Sequence, residues 1–175
     1  MNKDQDTIYA INHYNFFDKI VFKKRLEISN IINNIIEDLQ IHDALDIGTT
    51  SDDKNASSNI VIKNIKNIDK FKCISDQIVN SDFFNKKLKK SITEEFSENE
   101  LYDFSSDLVV SNATIEHVGN TLNQKKMLEN VIKLTKKIFV ITTPNKFYPI
   151  ELHTKIPLIH WFPKSIYRKI LKFLG

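Results

Sequence analysis

The sequence predicts an α/β fold in which helices cover both faces of a mostly parallel, doubly wound sheet of about five strands. Short apolar or β-branched runs alternate along the chain with segments of helical periodicity, which is typical of a parallel sheet. A length of 175 residues suits one domain with one core. Hydrophobic residues make up 41% and charged residues 27%, a composition that favours a folded globule over a disordered chain.

The N-terminal part of the chain predicts a long helix followed by a buried strand. Residues 15–40 carry apolar side chains, mostly isoleucines, at the three-and-four spacing of an amphipathic helix. Residues 44–47 form a short apolar run that Gly48 ends. A polar stretch, residues 49–55, follows, so the sequence predicts a buried strand and then a loop.

The middle of the chain predicts a short helix and a second strand. We expect Ser57 or Ser58 to cap a helix that runs through residues 60–65. Residues 71–76 predict the second strand, which ends in an acid. Residues 80–102 fit either a broken helix or an irregular segment with a short strand.

The remaining regular elements are clearer. Residues 107–112 form a β-branched run bounded by polar residues, and residues 127–134 have helical spacing. Residues 138–141 then predict another strand. Three of the four prolines lie in the last 30 residues, so that segment is too interrupted for one straight helix.

Charge and cysteine content exclude several classes of protein. The net charge is +3, and the basic residues are scattered among acids, so we expect no nucleic-acid partner. Cys73 is the single cysteine, which excludes an internal disulfide and indicates a reducing, cytoplasmic setting. The first 20 residues lack the continuous apolar core of a signal peptide, and no later run approaches the roughly 18 apolar residues needed to span a bilayer, so we expect a soluble chain.

Three polar segments follow strands of the predicted sheet: residues 46–51, 111–117 and 142–145. Ligands of an open α/β sheet bind outside the carboxyl ends of its strands, so these segments are expected to lie together at a ligand site. Asp46 stands inside an apolar strand, where a carboxylate needs hydrogen-bond donors from loop amides or from a ligand. Gly48 lets the backbone approach a ligand closely, or else it serves a tight turn.

These segments resemble the class I S-adenosylmethionine-dependent methyltransferases, which have a Rossmann-like fold. Residues 44–48 (ALDIG) look like the first cofactor motif of that family. Residues 107–118 (DLVVSNATIEHV) look like its fourth strand and following loop, and residues 139–145 (FVITTPN) look like its fifth strand. Residues 147–154 and 158–163 also resemble bacterial members of the type 11 group.

The resemblance, which covers roughly residues 43–161, implies that S-adenosylmethionine is the cofactor. In that family, residues at the end of the first strand line the methionine part of the cofactor, and an acid at the end of the second strand accepts hydrogen bonds from the ribose hydroxyls. A further acid lies beside the adenine ring. Residues at the end of the fourth strand face the cofactor. The residues that correspond here are Asp46, Gly48, Thr49, Thr50, Asp76, Glu95 or its neighbour Glu94, Asn112, Ala113 and Thr114.

Several of these polar residues fit a solvated or structural role as well as a functional one. Asp76 is equally explained as a solvated acid at a strand end, and Glu94 with Glu95 as a solvated charge pair. For a hydroxyl acceptor, His117, His153 or His160 is the candidate general base, because imidazole titrates near neutrality. Each of these histidines is also explained as a structural residue.

The chain departs from the family in two respects. Thr50 stands where the second glycine of the first motif is usual, and Asp52 or its neighbour replaces the third. After Trp161 only 14 residues remain, which is too few for the sixth and seventh strands of the family fold. The fifth strand is then expected to be a bare apolar edge, which invites dimerisation, a covering C-terminal helix or poor solubility.

We therefore expect one methyltransferase-like domain, residues 1–175, with a helical segment (1–41), a Rossmann-like core (42–146) and substrate-side or covering helices (147–175). The expected function is methyl transfer to a small molecule or a saccharide precursor. The alternative is a catalytically degenerate or truncated form that acts as a binding or scaffold protein. A third hypothesis is that the basic, aromatic segment 164–174 binds an anionic membrane surface, although a helix packed on the sheet explains it better.

Overall fold

The computed structural model describes residues 16–51 and 58–144. Their helices are α1 (Phe16–Leu39), α2 (Ile60–Lys63), α3 (Glu98–Phe104) and α4 (Thr121–Leu134). Their strands are β1 (Asp43–Ile47), β2 (Lys70–Ser75), β3 (Lys86–Lys89), β4 (Ser106–Asn112) and β5 (Thr135–Thr142). The alternation of strands and helices confirms the predicted α/β class.

The five strands form one sheet in the order β3-β2-β1-β4-β5, and every pair is parallel. This is the order of a Rossmann-like, doubly wound sheet. The direction in which strands are added reverses between β1 and β4, so the loops that leave these two strands diverge. The crevice between their carboxyl ends is the place where such a sheet binds ligands.

Each face of the sheet carries its own apolar core, because successive strand residues point to opposite faces. Helices α1 and α2 cover one face, and α3 and α4 cover the other. The first core includes Ile32, Ile36, Val61 and Ile62 from the helices, packed against Ala44, Cys73 and Val110. The second includes Phe104, Met127, Val131 and Leu134, packed against Leu45, Ile74 and Val109.

Most element boundaries lie within a few residues of the predicted ones, and one capping prediction is wrong. The N-cap position of α2 is Asn59 and not Ser58, which is buried one position earlier, and the Asn59 side chain makes no capping hydrogen bond to the helix; Ser57 lies outside the described residues. Asn59 has a left-handed backbone with a φ of 54°, a conformation that asparagine tolerates better than serine does. Strand β2 ends at Ser75, so Asp76 is the first residue of the loop.

The segment with the poorest sequence signal contains β3 and α3. Ser97 and Glu100 form a capping box at the start of α3: the Ser97 hydroxyl accepts from the Glu100 N–H, and the Glu100 carboxylate accepts from the Ser97 N–H. The ammonium group of Lys90 also bonds that carboxylate at 2.7 Å. These bonds from Lys90 and Ser97 hold the pKa of Glu100 at about 2.

The chain divides into two compact units, Met1–Thr142 and Thr143–Gly175, and the sheet belongs to the first. The expectation of one domain over residues 1–175 stays a prediction. The covering helices expected over residues 147–175 lie outside the described residues. Within residues 16–51 and 58–144, no helix is both long enough and apolar enough to cross a membrane.

Candidate functional site

The polar segments that follow β1, β4 and β5 meet at the carboxyl edge of the sheet. The Thr114 hydroxyl donates to the carbonyl of Ile47 at 3.1 Å, which joins the loop after β4 to the end of β1. The Ala113 N–H donates to the carbonyl of Thr142 at 2.9 Å, and the Thr142 hydroxyl donates to Oδ1 of Asn112 at 2.7 Å. The structure therefore places these three segments together at the crevice.

Asp46 is a buried carboxylate at this edge. Its side chain is on the face covered by α1 and α2, and its register partners are Cys73 on β2 and Val110 on β4. The Thr49 hydroxyl donates to its Oδ2 at 2.6 Å. Burial raises the pKa of Asp46 to about 6, although the bond from Thr49 acts in the opposite direction.

The Cys73 thiol is held in its protonated form by the same surroundings. Burial is the largest cause, and the nearby Asp46 carboxylate adds to it, so the pKa of Cys73 rises to about 11. A nucleophilic cysteine needs a lowered pKa. Cys73 is therefore a core residue beside the site and not a reactive group.

The loop after β1 is fixed from one side by the side chain of Asn59. Its Oδ1 accepts from the Thr50 N–H at 2.9 Å, and its Nδ2 donates to the Thr50 carbonyl at 3.0 Å. Both backbone groups of Thr50 are thus bonded within the protein. The left-handed backbone of Asn59 directs its side chain to this loop.

The end of β2 fixes the same loop from the other side. The Ser75 hydroxyl donates to the Thr49 carbonyl at 2.6 Å and accepts from the Gln77 N–H at 3.1 Å. The Gln77 Oε1 then accepts from the Ser51 hydroxyl at 2.8 Å and from the Ser51 N–H at 3.3 Å. The N–H groups of Thr50 and Ser51 are therefore bonded to side chains of the protein.

Gly48 turns the chain out of β1. Its φ is 84°, in the left-handed region that favours glycine, and its N–H donates to the Ile74 carbonyl at 2.9 Å. A methyl group on its α-carbon would lie 2.6 Å from Cγ2 of Thr114. Gly48 is therefore required for two reasons, its backbone conformation and the close packing of Thr114.

Ala113 also has a left-handed backbone, with a φ of 56°. For an alanine this conformation costs about 1–2 kcal/mol, because its Cβ approaches a carbonyl oxygen. The bond from its N–H to Thr142 holds the strained turn in place. Strain of this kind persists at sites where a loop has to keep an unusual direction.

The other predicted site residues differ in how close they lie to this crevice. Asp76 is exposed directly after β2, next to the strand that carries Asp46. Glu95 is exposed in the loop after β3, so β2 separates it from β1. His117 is exposed, and its N–H donates to the Thr114 carbonyl at 2.9 Å. His153 lies outside the described residues.

Asn130 on α4 fixes the loop that contains Glu94 and Glu95. It is buried, and its Nδ2 donates to the carbonyl of Ile92 at 2.7 Å and to that of Glu94 at 2.8 Å. The Glu94 carboxylate in turn accepts from the Ser91 N–H at 3.0 Å. The direction of this loop is thus set by α4, which packs with Ile92 in the second apolar core.

Three asparagine and glutamine residues that shape the site were not predicted from the sequence: Asn59, Gln77 and Asn130. Asn130 had a signal, because it stands between Met127 and Val131 on the apolar face of a predicted helix, where an amide needs partners. Asn59 and Gln77 had none, since polar residues in loops are common and their partners, Thr50 and Ser51, are identified only by the folded path of the chain.

Comparison of the chain with models of known protein families gives no match, and comparison with curated proteins gives no significant match. Within the described part of the chain, no three side chains of His, Cys, Asp or Glu are grouped so that they could hold a metal ion together. What the site does has to be inferred from its own geometry and chemistry.

Proposed function

We propose that the chain is a class I S-adenosylmethionine-dependent methyltransferase that acts on a small molecule or a saccharide precursor. The observation that carries the proposal is the arrangement of polar residues around the switch point of a doubly wound sheet. Asp46 and Gly48 stand at the end of β1, Asp76 directly after β2, and Asn112 at the end of β4. Ligands of such sheets bind at this crevice.

The donor and acceptor groups at the site suit part of this cofactor. Asp76 is an exposed carboxylate, which can accept bonds from two ribose hydroxyls at once. Asn112 adds a half-buried amide at the end of β4, on the other side of β1, and its Oδ1 already accepts from the Thr142 hydroxyl. The space beside Gly48 suits the cofactor less well, since the Thr114 side chain fills it.

When bound, S-adenosylmethionine supplies an electrophilic methyl group, so the protein has mainly to align the acceptor and to exclude water. In this proposal Asp76 holds the ribose, and Asp46 acts through Thr49, which it keeps in place at the start of the loop. For a hydroxyl acceptor, His117 or His153 takes up the proton. A reducing, cytoplasmic location and a homodimer through the β5 edge also belong to the proposal.

A second candidate function is a degenerate methyltransferase fold that binds or scaffolds without catalysis. Two observations favour it. The N–H groups of Thr50 and Ser51 bond to Asn59 and Gln77, so in this arrangement they are not directed at a ligand. The side chain of Thr114 also occupies volume at the crevice.

The experiment that tests the first function is calorimetric titration of the folded chain with S-adenosylhomocysteine. We expect micromolar binding that Asp76→Ala weakens by about tenfold or more, since a carboxylate forms charge-assisted hydrogen bonds. Asp82→Ala is the matched control, because Asp82 is another exposed acid in the connection between β2 and β3, next to Phe83, whose ring packs on Phe71 near the start of β2; it should leave the affinity unchanged.

The two candidate functions give different results in this titration. No detectable binding by the folded wild-type chain would rule out the methyltransferase and favour the scaffold. Binding that Asp76→Ala and Asp82→Ala reduce equally would show that the ligand does not contact Asp76, and the assignment of the ribose site would then be wrong.

A further inference from the structure

The side chain of Thr114 fills the volume beside the α-carbon of Gly48. A methyl group on the Gly48 α-carbon would lie 2.6 Å from Cγ2 of Thr114, 2.9 Å from its Cβ and closer still to its Oγ1. Carbon atoms in favourable contact are about 3.5–4.0 Å apart. Thr114 therefore occupies the volume that a side chain at position 48 would need.

Thr114 fills this volume at the switch point itself. Its hydroxyl donates to the Ile47 carbonyl at 3.1 Å and lies 3.4 Å from the Asn112 carbonyl. Ile47 ends β1 and Asn112 ends β4, and these are the two strands between which the strand order reverses. The side chain thus stands in the crevice through which a ligand of this fold reaches the end of β1.

We propose that Thr114 closes the crevice beside Gly48 and sets how closely a ligand approaches the end of β1. The inference rests on the proposed function, which places an adenosyl ligand at this edge of the sheet. Such a ligand has to turn the Thr114 side chain aside and break its hydrogen bond to Ile47. A hydrogen bond of this kind corresponds to about a two- to tenfold change in an equilibrium constant.

This role is opposite in sign to the one that the methyltransferase resemblance implies for Thr114. A residue that contacts the cofactor contributes to binding, so its truncation weakens binding. A residue that closes the crevice opposes binding, so its truncation strengthens binding. The affinity of a Thr114→Ala variant separates the two roles.

The test is calorimetric titration of S-adenosylhomocysteine into the wild type, Thr114→Ala and Thr135→Ala. We expect Thr114→Ala to bind about two- to tenfold more tightly than the wild type. Thr135 is the matched control: it is half-buried, its hydroxyl donates to the Val131 carbonyl at 2.6 Å, and it lies at the other edge of the sheet. Weaker binding by Thr114→Ala would overturn the closure and leave the proposed function intact.

A second measurement tests, without any ligand, whether Thr114 fills the volume beside Gly48. Gly48→Ala is introduced into the wild type and into Thr114→Ala, and the melting temperature of each chain is recorded. Closure predicts that Gly48→Ala lowers the melting temperature by about 3 °C less when Thr114 is truncated to alanine, because the two closer contacts, with Oγ1 and Cγ2, are then removed and only the contact with Cβ remains. Equal losses in the two backgrounds would overturn the closure. Absence of binding by every folded chain, with unequal losses, would instead overturn the proposed function.

Discussion

Asp43 and Asp46 lie three residues apart on β1, near opposite ends of the strand, and their partners differ in kind. Asp43 accepts from the Lys72 ammonium group at 2.8 Å and from the Asp107 N–H at 2.8 Å. Asp46 accepts from a neutral hydroxyl, that of Thr49. The half-buried carboxylate at the amino edge of the sheet thus has a cation as its partner, whereas the buried carboxylate at the carboxyl edge does not.

The pKa of Asp43 and the pKa of Asp46 shift in opposite directions because their partners differ. Burial raises the pKa of both carboxyls, and at Asp46 burial prevails. At Asp43 the hydrogen bonds from Lys72 and Asp107, with the charges of Lys72 and Lys136, outweigh burial and lower the pKa below its usual value. A poorly compensated buried carboxylate near the left-handed backbones of Gly48 and Ala113 supports the proposal that this edge binds a ligand.

The contrast extends to the other residues of the amino edge. The Asp107 carboxylate accepts from the His42 N–H at 3.1 Å and lies 3.3 Å from the Lys137 ammonium group. Lys137 also donates to the Gln40 carbonyl at 2.7 Å, just after the end of α1. Charges at this edge therefore form a connected network, and we expect it to contribute more to stability than the carboxyl edge does.

The strongest test of this contrast is the loss of the Asp43 carboxylate. Asp43→Ala leaves Lys72, whose side chain is 13% exposed, without its carboxylate and the Asp107 N–H without its acceptor. We expect the free energy of unfolding to fall by about 3 kcal/mol, as when one partner of a buried ion pair is removed. Urea unfolding measures it.

The control for this change is Asp103→Ala, which removes the carboxylate of the exposed Lys86–Asp103 pair. An exposed pair of this kind contributes about 0–1 kcal/mol. If the two variants lost the same amount of stability, the amino edge would be an ordinary charged surface and the contrast would not hold.

The second test is the dependence of stability on pH. Asp46 should make the folded chain more stable as the pH falls. Its pKa in the folded chain is about 6, above the usual 3.8, so the folded state binds this proton more readily than the unfolded state. The stability that protonation of Asp46 gives to the folded state is therefore fully present below the usual pKa of 3.8 and is lost as the pH rises through about 6. Between pH values of about 7 and 5, Asp46 should add about 1 kcal/mol.

Asp46→Asn removes the titrating group and keeps an oxygen that can accept from Thr49. Urea unfolding of the wild type and the variant at both pH values gives the difference, in which the other titrating groups cancel. Asp43 has the opposite sign, since its lowered pKa gives stability that disappears as the pH falls through that pKa. The same pH dependence in the wild type and in Asp46→Asn would mean that burial does not perturb this carboxyl.

The sequence was sufficient for most of the fold because its apolar runs are short, continuous and separated by helical periodicity. It was insufficient at β3, whose four residues, Lys86–Lys89, include three lysines. An edge strand of this kind is protected by charge, and Leu88 is the one residue of β3 that packs against the second core, so no alternating pattern results. The helix that follows, α3, is only seven residues long, too short for periodicity to identify it.

Part of the candidate site was likewise predictable from the sequence, and part was not. Asp46 was predictable as an unusual residue, because a carboxylate within an apolar strand is evident from the sequence alone. The contact between Gly48 and Thr114 was not, since it depends on the register of β1 against β4 and on a left-handed backbone at Gly48. Contacts between segments far apart in the chain leave no local signature in either segment.

The smallest expected effect concerns Lys137, which links the amino edge to the end of α1. Lys137→Met keeps the apolar part of the side chain and removes the bond to the Gln40 carbonyl and the charge near Asp107. We expect a loss of about 0.5–1 kcal/mol in urea unfolding, because the ammonium group is partly exposed. Lys136→Met is the matched control, since Lys136 is more exposed and lies 3.9 Å from Asp43. A larger loss of stability for Lys137→Met than for Lys136→Met would show that the network stabilises the end of α1. Equal losses would mean that the charged groups of this edge stabilise the fold only through the pair of Asp43 with Lys72.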